Sequence, residues 1–332
     1  MSETEYVLDQ ASIPQTDAFV PSPTGAVPIE QFLERCLRGV AGIETLERQH
    51  RTFLAAGLSA VKRSLTAPAW AQLGLAVEPA RLPAVYDELA LLADELLVSG
   101  EATNFFFMHK APGLRVRFEA PDADPTLLRR TILERAQSWQ RGGLIRAVEH
   151  GVYEPEEQLF GGPTSMECVH ALFTVDSLGW LDHHRAAVAG WPAWMFSLYS
   201  IRAILDGLGI VGWEDLGVWS RVRGRGARRL SEEVTGTPQF TDAAAGIQQA
   251  WAATAGAEPP AVEHAEQPVA LMRTAMLSAA QRWRTDYFQT SQADIGPRDG
   301  AAMAVIFHWN RAGLSPLRQG LITEALLGQS QS

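Results

Sequence analysis

The sequence predicts an α+β fold: a small, mostly antiparallel sheet covered by many helices, with a helix-rich C-terminal half. Three observations carry this. NFFFMHK and LRVRFEA (104–110 and 114–120) read as two strands joined by the turn APG. Helical apolar spacing brackets these strands on both sides. From Ser165 onward the chain is almost wholly helical in pattern, broken at GWP, GIVGW, RGRGARR and AGAEPP.

Taken in order, residues 1–27 are polar and proline-rich and are expected to form a flexible arm, with residues 28–328 as a single catalytic domain. Apolar residues at Ile29, Phe32, Leu33, Cys36, Leu37 and Val40 follow helical spacing. A second amphipathic helix carries Leu82, Val85, Leu89, Leu92 and Leu96 and stops at Gly100. In the strand that follows APG, Leu114, Val116 and Phe118 alternate with Arg115, Arg117 and Glu119, so one face is core and the other shows two arginines side by side. Asp124 starts the helix DPTLLRRTILERAQSWQRGG and its Gly-Gly pair ends it. LIRAVEHGVYEPE returns to strand.

Composition narrows the function classes. The chain has 332 residues, 46% hydrophobic and 20% charged, an ordinary globular balance. Its formal charge of -10 argues against nucleic acid as a partner. The two cysteines, Cys36 and Cys168, sit in apolar helical patterns and read as free buried thiols rather than a disulfide framework. The first 25 residues hold no apolar signal core, and a cytoplasmic location is expected. The most membrane-like stretch, WPAWMFSLYSIRAILDGLGIVGW, has Arg202 and Asp206 in its middle and reads as a buried helix, so no membrane partner is expected.

Several side-chain groups bear on chemistry. No phosphate-cradling loop, nucleophile elbow or Cys-x-x-Cys occurs. His183 and His184 point about 100° apart on a helix and read as a solvated face, not a metal site. Arg115 and Arg117, two apart on one strand, either make surface ion pairs or bind a carboxylate or polarise an amide. FHWNR places His308, Asn310 and Arg311 in an apolar helix; His308 is either a buried, satisfied histidine or a general acid or base. YEPEEQLFGG gathers Glu154, Glu156 and Glu157 between a strand and a Gly-Gly corner, either as a surface turn or as an active-site rim. SRVRGRGARRL gathers Arg221, Arg223, Arg225, Arg228 and Arg229, either as a solvated loop or as a docking strip for an acidic partner.

The blocks FFFMHKAPGLRVRF, GGLIRAVEHGVYEPEEQLFGG, MECVHALFTVDS and FHWNR, in that order, resemble the stand-alone relatives of the lantibiotic dehydratase C-terminal (glutamate elimination) domain, often called thiopeptide-type bacteriocin biosynthesis proteins. The resemblance spans about residues 100 to 325. It implies an enzyme that acts on dehydroamino acids in a ribosomally made, leader-bearing peptide, alongside other biosynthetic enzymes and without cofactor or metal. Two activities occur in this family: glutamate elimination from glutamylated Ser or Thr, and pyridine synthesis by a formal [4+2] aza-cycloaddition of two dehydroalanines, with loss of water and the leader. The resemblance implies catalytic roles for His308, Arg115, Arg117, Glu156 and Tyr153, and substrate contacts from Phe106, Asn310, Arg311 and Ser177. In its terms the two strand arginines polarise the amide, His308 or Tyr153 shuttles a proton, and Glu156 orients or deprotonates. This chain departs from the elimination pattern. His109 and Lys110 stand where that pattern has Arg-Tyr, and Leu159 and Phe160 stand where it has Arg-Tyr before Gly-Gly. The missing arginine would help hold a leaving glutamate carboxylate, so the departures favour the pyridine synthase over a split elimination enzyme. The intact polar set speaks against a purely leader-binding subunit.

Overall fold

The computed structural model describes residues 69–328 apart from 122–123, 186–190, 227, 256–265 and 292, together with strand residues 19–22 and 25–28. The chain divides into two compact units, Met1–Ala67 and Pro68–Ser332. In the first unit β1 (Phe19–Ser22) and β2 (Gly25–Pro28) form an antiparallel pair within the stretch expected to be an arm. The helix expected from Ile29, with Cys36, lies outside the described residues.

The second unit is built on a four-stranded antiparallel sheet. Its strands are β3 (Trp70–Ala76), β4 (Asn104–Lys110), β5 (Gly113–Glu119) and β6 (Ala147–Gly151), in the order β4-β5-β3-β6. The central strand β3 has no counterpart among the expected elements. WAQLGLA is buried along nearly its whole length. A strand covered on both faces shows no alternation, and its Ala, Gln and Gly are weak strand formers. Register puts Phe106 and Gln72 on either side of Arg117, and Met108 and Gly74 on either side of Arg115. The two arginines do share a face.

That face is not open. Arg117 is only 4% exposed, whereas Arg115 is partly exposed. The opposite face, with Phe105, Phe107, Leu73 and Val116, lies under α1 (Leu82–Ser99), whose Tyr86 ring meets Phe107 and His109. Beside α1 runs α2 (Thr126–Arg141), tied to it by Trp139 Nε1–H donating to Glu88 and by the Arg135–Glu95 pair. As expected, Asp124 serves the start of α2, accepting from the backbone N–H of Thr126.

After the short helix α3 (Glu157–Phe160), left-handed Gly161 and Gly162 turn the chain into α4 (Pro163–His184). This helix closes the free edge of the sheet. Phe105 N–H donates to Thr174 Oγ1 and Phe107 N–H to Ser177 Oγ, so helix hydroxyls satisfy edge-strand amides that would otherwise be orphaned.

Then follow α5 (Ala193–Leu208), α6 (Asp215–Arg223), α7 (Glu232–Thr235), α8 (Pro238–Ala253), α9 (Glu266–Trp283), α10 (Pro297–Ala312) and α11 (Pro316–Leu327). The breaks at GWP, GIVGW and RGRGARR fall between these helices; AGAEPP lies almost wholly outside the described residues. Buried from Gly300 through Trp309, α10 is the central helix and packs against α4, α5, α6 and β4. The charges inside α5 are both held: Arg202 lies 3.7 Å over the Trp251 ring, and Asp206 pairs with Arg273. Among the described residues no single helix is long and apolar enough to cross a membrane.

Candidate active site

Where β5, the chain after β6, α4 and the end of α10 meet, the fold concentrates buried polar groups. At the centre lies the Arg117 guanidinium. Its Nε–H donates to Gln72 Oε1 at 2.6 Å across β3, and its carbon sits 4.9 Å from the centre of the Phe106 ring and 4.6 Å from that of Tyr153. Burial lowers its pKa to about 10, a fall that Tyr153 and Glu156 limit, so it stays protonated at neutral pH. Its Nη1 is buried and has no partner within the protein.

Tyr153 follows β6 and is 4% exposed, its hydroxyl 2.8 Å from His170 Nε2. Burial, and then Glu156, raise the phenol well above its ordinary range. Burial, and then the Arg117 charge, depress His170 to about 3. Near neutral pH the pair is therefore a phenol beside a neutral imidazole, with the phenol proton available to Nε2 or to a substrate atom. Trp70 holds both rings edge-on or tilted, with centroids 5.1 and 4.5 Å away.

Glu156 caps the N-terminal end of α3, and its Oε2 is buried without a hydrogen-bond partner. From α10 comes Arg311, fully buried, with Nη1–H donating to Asp176 Oδ2 at 2.9 Å and Nε–H to Ser177 Oγ at 3.1 Å. Its guanidinium carbon lies 4.0 Å over Phe173 and 5.7 Å from Phe106, and its Nη2 is unpartnered. Arg311 acts electrostatically on Arg117, Tyr153 and Glu156, so the four groups share one locus. Two guanidinium nitrogens and one carboxylate oxygen here are buried without a hydrogen-bond partner in the protein, an arrangement that calls for an explanation.

Of the expected residues, Arg117, Tyr153, Glu156, Arg311 and Phe106 come together. Arg115 lies one step along the same strand face, near enough to bear on Arg117. Asn310 is partly exposed on α10. Two expected residues are engaged within the protein. His308 is wholly buried, with Nδ1 2.7 Å from Asp176 Oδ1 and Nε2 3.0 Å from Ser197 Oγ, so both ring nitrogens have protein partners. Trp180 Nε1 also stands 3.1 Å from Nδ1, but that atom cannot both accept from the indole and donate to Asp176. The carboxylate is the stronger and closer partner and fixes the proton on Nδ1. Ser177 is likewise wholly buried, its Oγ accepting from the Arg311 Nε–H and the Phe107 amide.

The expected docking strip is largely committed within the protein. Arg221 pairs with Asp299, Arg223 with Glu324, and Arg228 donates to Gln319 and to the Arg225 carbonyl. Arg225 and Arg229 remain, the former partly and the latter more fully exposed. His183 and His184 are half-buried rather than solvated. His183 Nε2 lies 2.9 Å from the Trp191 carbonyl, and His184 stacks 4.3 Å from the Tyr86 ring. Among the described residues no group of three or more His, Cys, Asp or Glu side chains is placed to hold a metal.

Sequence reasoning did not single out Asp176, His170 or Gln72. The first two stand in MECVHALFTVDS on a helix that also buries Ser165 and Ser177, so spacing does not mark them out; Gln72 has no signal, because β3 itself has none.

The Lantibiotic biosynthesis dehydratase C-term family model matches residues 70–329. No curated protein matches the chain. Among solved structures, the crystal structure of the tRNA-dependent lantibiotic dehydratase MibB from Microbispora sp. 107891 is similar, with a TM-score of 0.59 and 21% identity, over 80% of this chain and 29% of that one. At that identity the likeness is one of fold, and the chain spans under a third of that dehydratase's length. The matched span begins on β3 and runs through α11, so it takes in the whole sheet and every side chain of the buried polar locus: the chain belongs to the lantibiotic biosynthesis dehydratase C-terminal family.

Proposed function

We propose that the protein is a thiopeptide pyridine synthase, joining two dehydroalanines of a leader-bearing ribosomal peptide by a formal [4+2] aza-cycloaddition. The observation that carries this reading is the character of the unpartnered atoms. Arg117 Nη1 and Arg311 Nη2 are donors and Glu156 Oε2 is an acceptor. Two donors and an acceptor complement a peptide amide, whose oxygen accepts and whose N–H donates. A carboxylate leaving group would instead meet Glu156 as a like charge. At two of the four positions that depart from the elimination pattern, Phe160 is fully buried against Phe173, Trp283 and Phe307, and Leu159 is 42% exposed, so neither supplies a cation for a leaving carboxylate.

In this mechanism Arg117 and Arg311 stabilise negative charge on the amide oxygen, with Arg115 adding to the local field, while Glu156 takes the proton from the amide nitrogen and returns it to that oxygen. The resulting iminol and its dehydroalanine C=C form the aza-diene. Two C–C bonds then form to the second dehydroalanine. Water leaves from the former amide carbon and the leader leaves as its carboxamide from the second α-carbon, so the ring becomes aromatic without an oxidant. The Tyr153 phenol, backed by neutral His170, donates to the departing group. Arg225 and Arg229 serve as the remaining cationic contacts for an acidic leader.

The test is mass spectrometry of a leader-bearing peptide with two dehydroalanines, incubated with the protein. A macrocycle lighter by water and the leader carboxamide is expected, and Arg117→Ala should lower its rate by about 10²–10³. An unchanged peptide, together with glutamate release from a glutamylated peptide, would replace this reading with elimination.

A further inference from the structure

His308 and Arg311 are one turn apart on α10 and reach the same carboxylate on α4. His308 Nδ1 takes Asp176 Oδ1 and Arg311 Nη1 takes Oδ2, at 2.7 and 2.9 Å. Both oxygens are thereby used. Ser177, the next residue on α4, takes Arg311 Nε, so two of the three guanidinium nitrogens are fixed and Nη2 alone is left for a ligand. Behind the imidazole, Ser197 Oγ on α5 stands 3.0 Å from both His308 Nε2 and Trp309 Nε1, closing the far side. His308 and Arg311 are 0% exposed and Asp176 is 4% exposed, so these hydrogen bonds are shielded from bulk water.

We infer that Asp176, braced by His308 and Ser197, is a positioning clamp that orients Arg311 so that Nη2 points into the reacting site. His308 is then a positioning residue, not a proton carrier. The physical reason lies in the cost of burying a guanidinium. Unclamped, Arg311 would turn to satisfy Nη2 inside the protein; with Nη1 and Nε held from one helix, the unpartnered nitrogen is pre-aimed and pays no reorganisation when charge develops on the substrate. An Asp176 held by Arg311 alone would be free to rotate, and the histidine removes that freedom.

The kinetic part of the test rests on the pyridine-synthase reading; the spectroscopic part does not. His308→Asn keeps a side-chain N–H2 where Nδ1–H stood, whereas His308→Ala removes it. With the dehydroalanine peptide, His308→Asn should hold kcat within about tenfold of wild type with both limbs of the pH profile in place. His308→Ala and Asp176→Asn should each lose about 10² in kcat, with a smaller change in KM, as expected for a displaced group. Equal losses in His308→Asn and His308→Ala, or a limb missing from the His308→Asn profile, would make His308 the proton carrier and overturn the clamp. In parallel, the Arg311 Nε–H resonance, assigned through Arg311→Lys, should be slow to exchange in wild type and His308→Asn and fast in His308→Ala. No difference among the three would also overturn it. A wild type inactive on the peptide but showing this exchange pattern would refute the reaction and keep the clamp.

Discussion

At the scale of single residues, burial decides which chemistry each polar group can perform. Arg117 stays protonated although burial lowers it to about 10, and Tyr153 keeps its proton because burial and Glu156 raise it. Asp176 shows the opposing forces most clearly. Burial pushes its carboxyl up, but His308 and Arg311 more than offset this, and it ends below its usual range. For His170 the sign gives a prediction. Its folded value, about 3, lies below the ordinary 6.5, so the unfolded chain takes up the proton first as pH falls. The stability it contributes is complete above about pH 6.5 and is lost as pH falls toward 3, at up to about 1.4 kcal/mol per pH unit. Urea midpoints at pH 7, 5.5 and 4 should therefore fall more steeply for wild type than for His170→Phe, even though the variant starts lower for want of the Tyr153 hydrogen bond. Parallel curves would show that His170 is already accessible to protons in the fold.

At the scale of elements, close backbone approach explains several packing choices. A Cβ on Gly207 of α5 would stand 2.6 Å from Ala280 Cβ and 2.6 Å from the Leu277 carbonyl of α9. Nothing but hydrogen fits there without parting the two helices. Gly246 of α8 has no atom within 4 Å of the same position. Gly207→Ala should thus destabilise by about 1–3 kcal/mol through overpacking. Gly246→Ala should stabilise by about 0.4–1 kcal/mol, because it only restricts the unfolded chain. Thermal melts of the two variants should move in opposite directions, and a neutral Gly207→Ala would mean that α5 and α9 part easily. The elements were legible to different degrees. β4 and β5 announce themselves by alternation, and α1 by its apolar stripe ending at left-handed Gly100. β3 stayed hidden because a central strand buried on both faces carries no period.

At the scale of the whole molecule, the formal charge of -10 sets the electrostatic background for the proposed leader binding. With Arg221, Arg223 and Arg228 engaged by Asp299, Glu324 and Gln319, the cationic contribution to an encounter falls to Arg225 and Arg229. Exposed charges of this kind act mainly on association and are screened over about 10 Å at 0.1 M salt. Replacing both by Ala should weaken binding of an acidic leader, read by fluorescence anisotropy, about three- to tenfold at low salt and much less at 0.5 M salt. Unchanged affinity at low salt would assign leader recognition to another surface. Replacing Arg223 or Arg228 should instead lower stability, since each ties α6 or the chain after it to α11.

The sequence by itself determined the α+β class, the same-face pairing of Arg115 and Arg117, and the family, because alternation, helical spacing and ordered motif blocks are local signals that survive without coordinates. Only the tertiary structure decided what the polar residues do. Arg117 and Arg311 are far apart in the chain, and their convergence on Glu156 and Tyr153 depends on how α10 packs against α4 and the edge of the sheet. The same packing buries His308 and Ser177, pairing the first with Asp176 and the second with Arg311. Spacing along a helix says which side chains share a face, but not whether that face meets a cavity, a carboxylate or water, and it is this that separates a proton carrier from a brace.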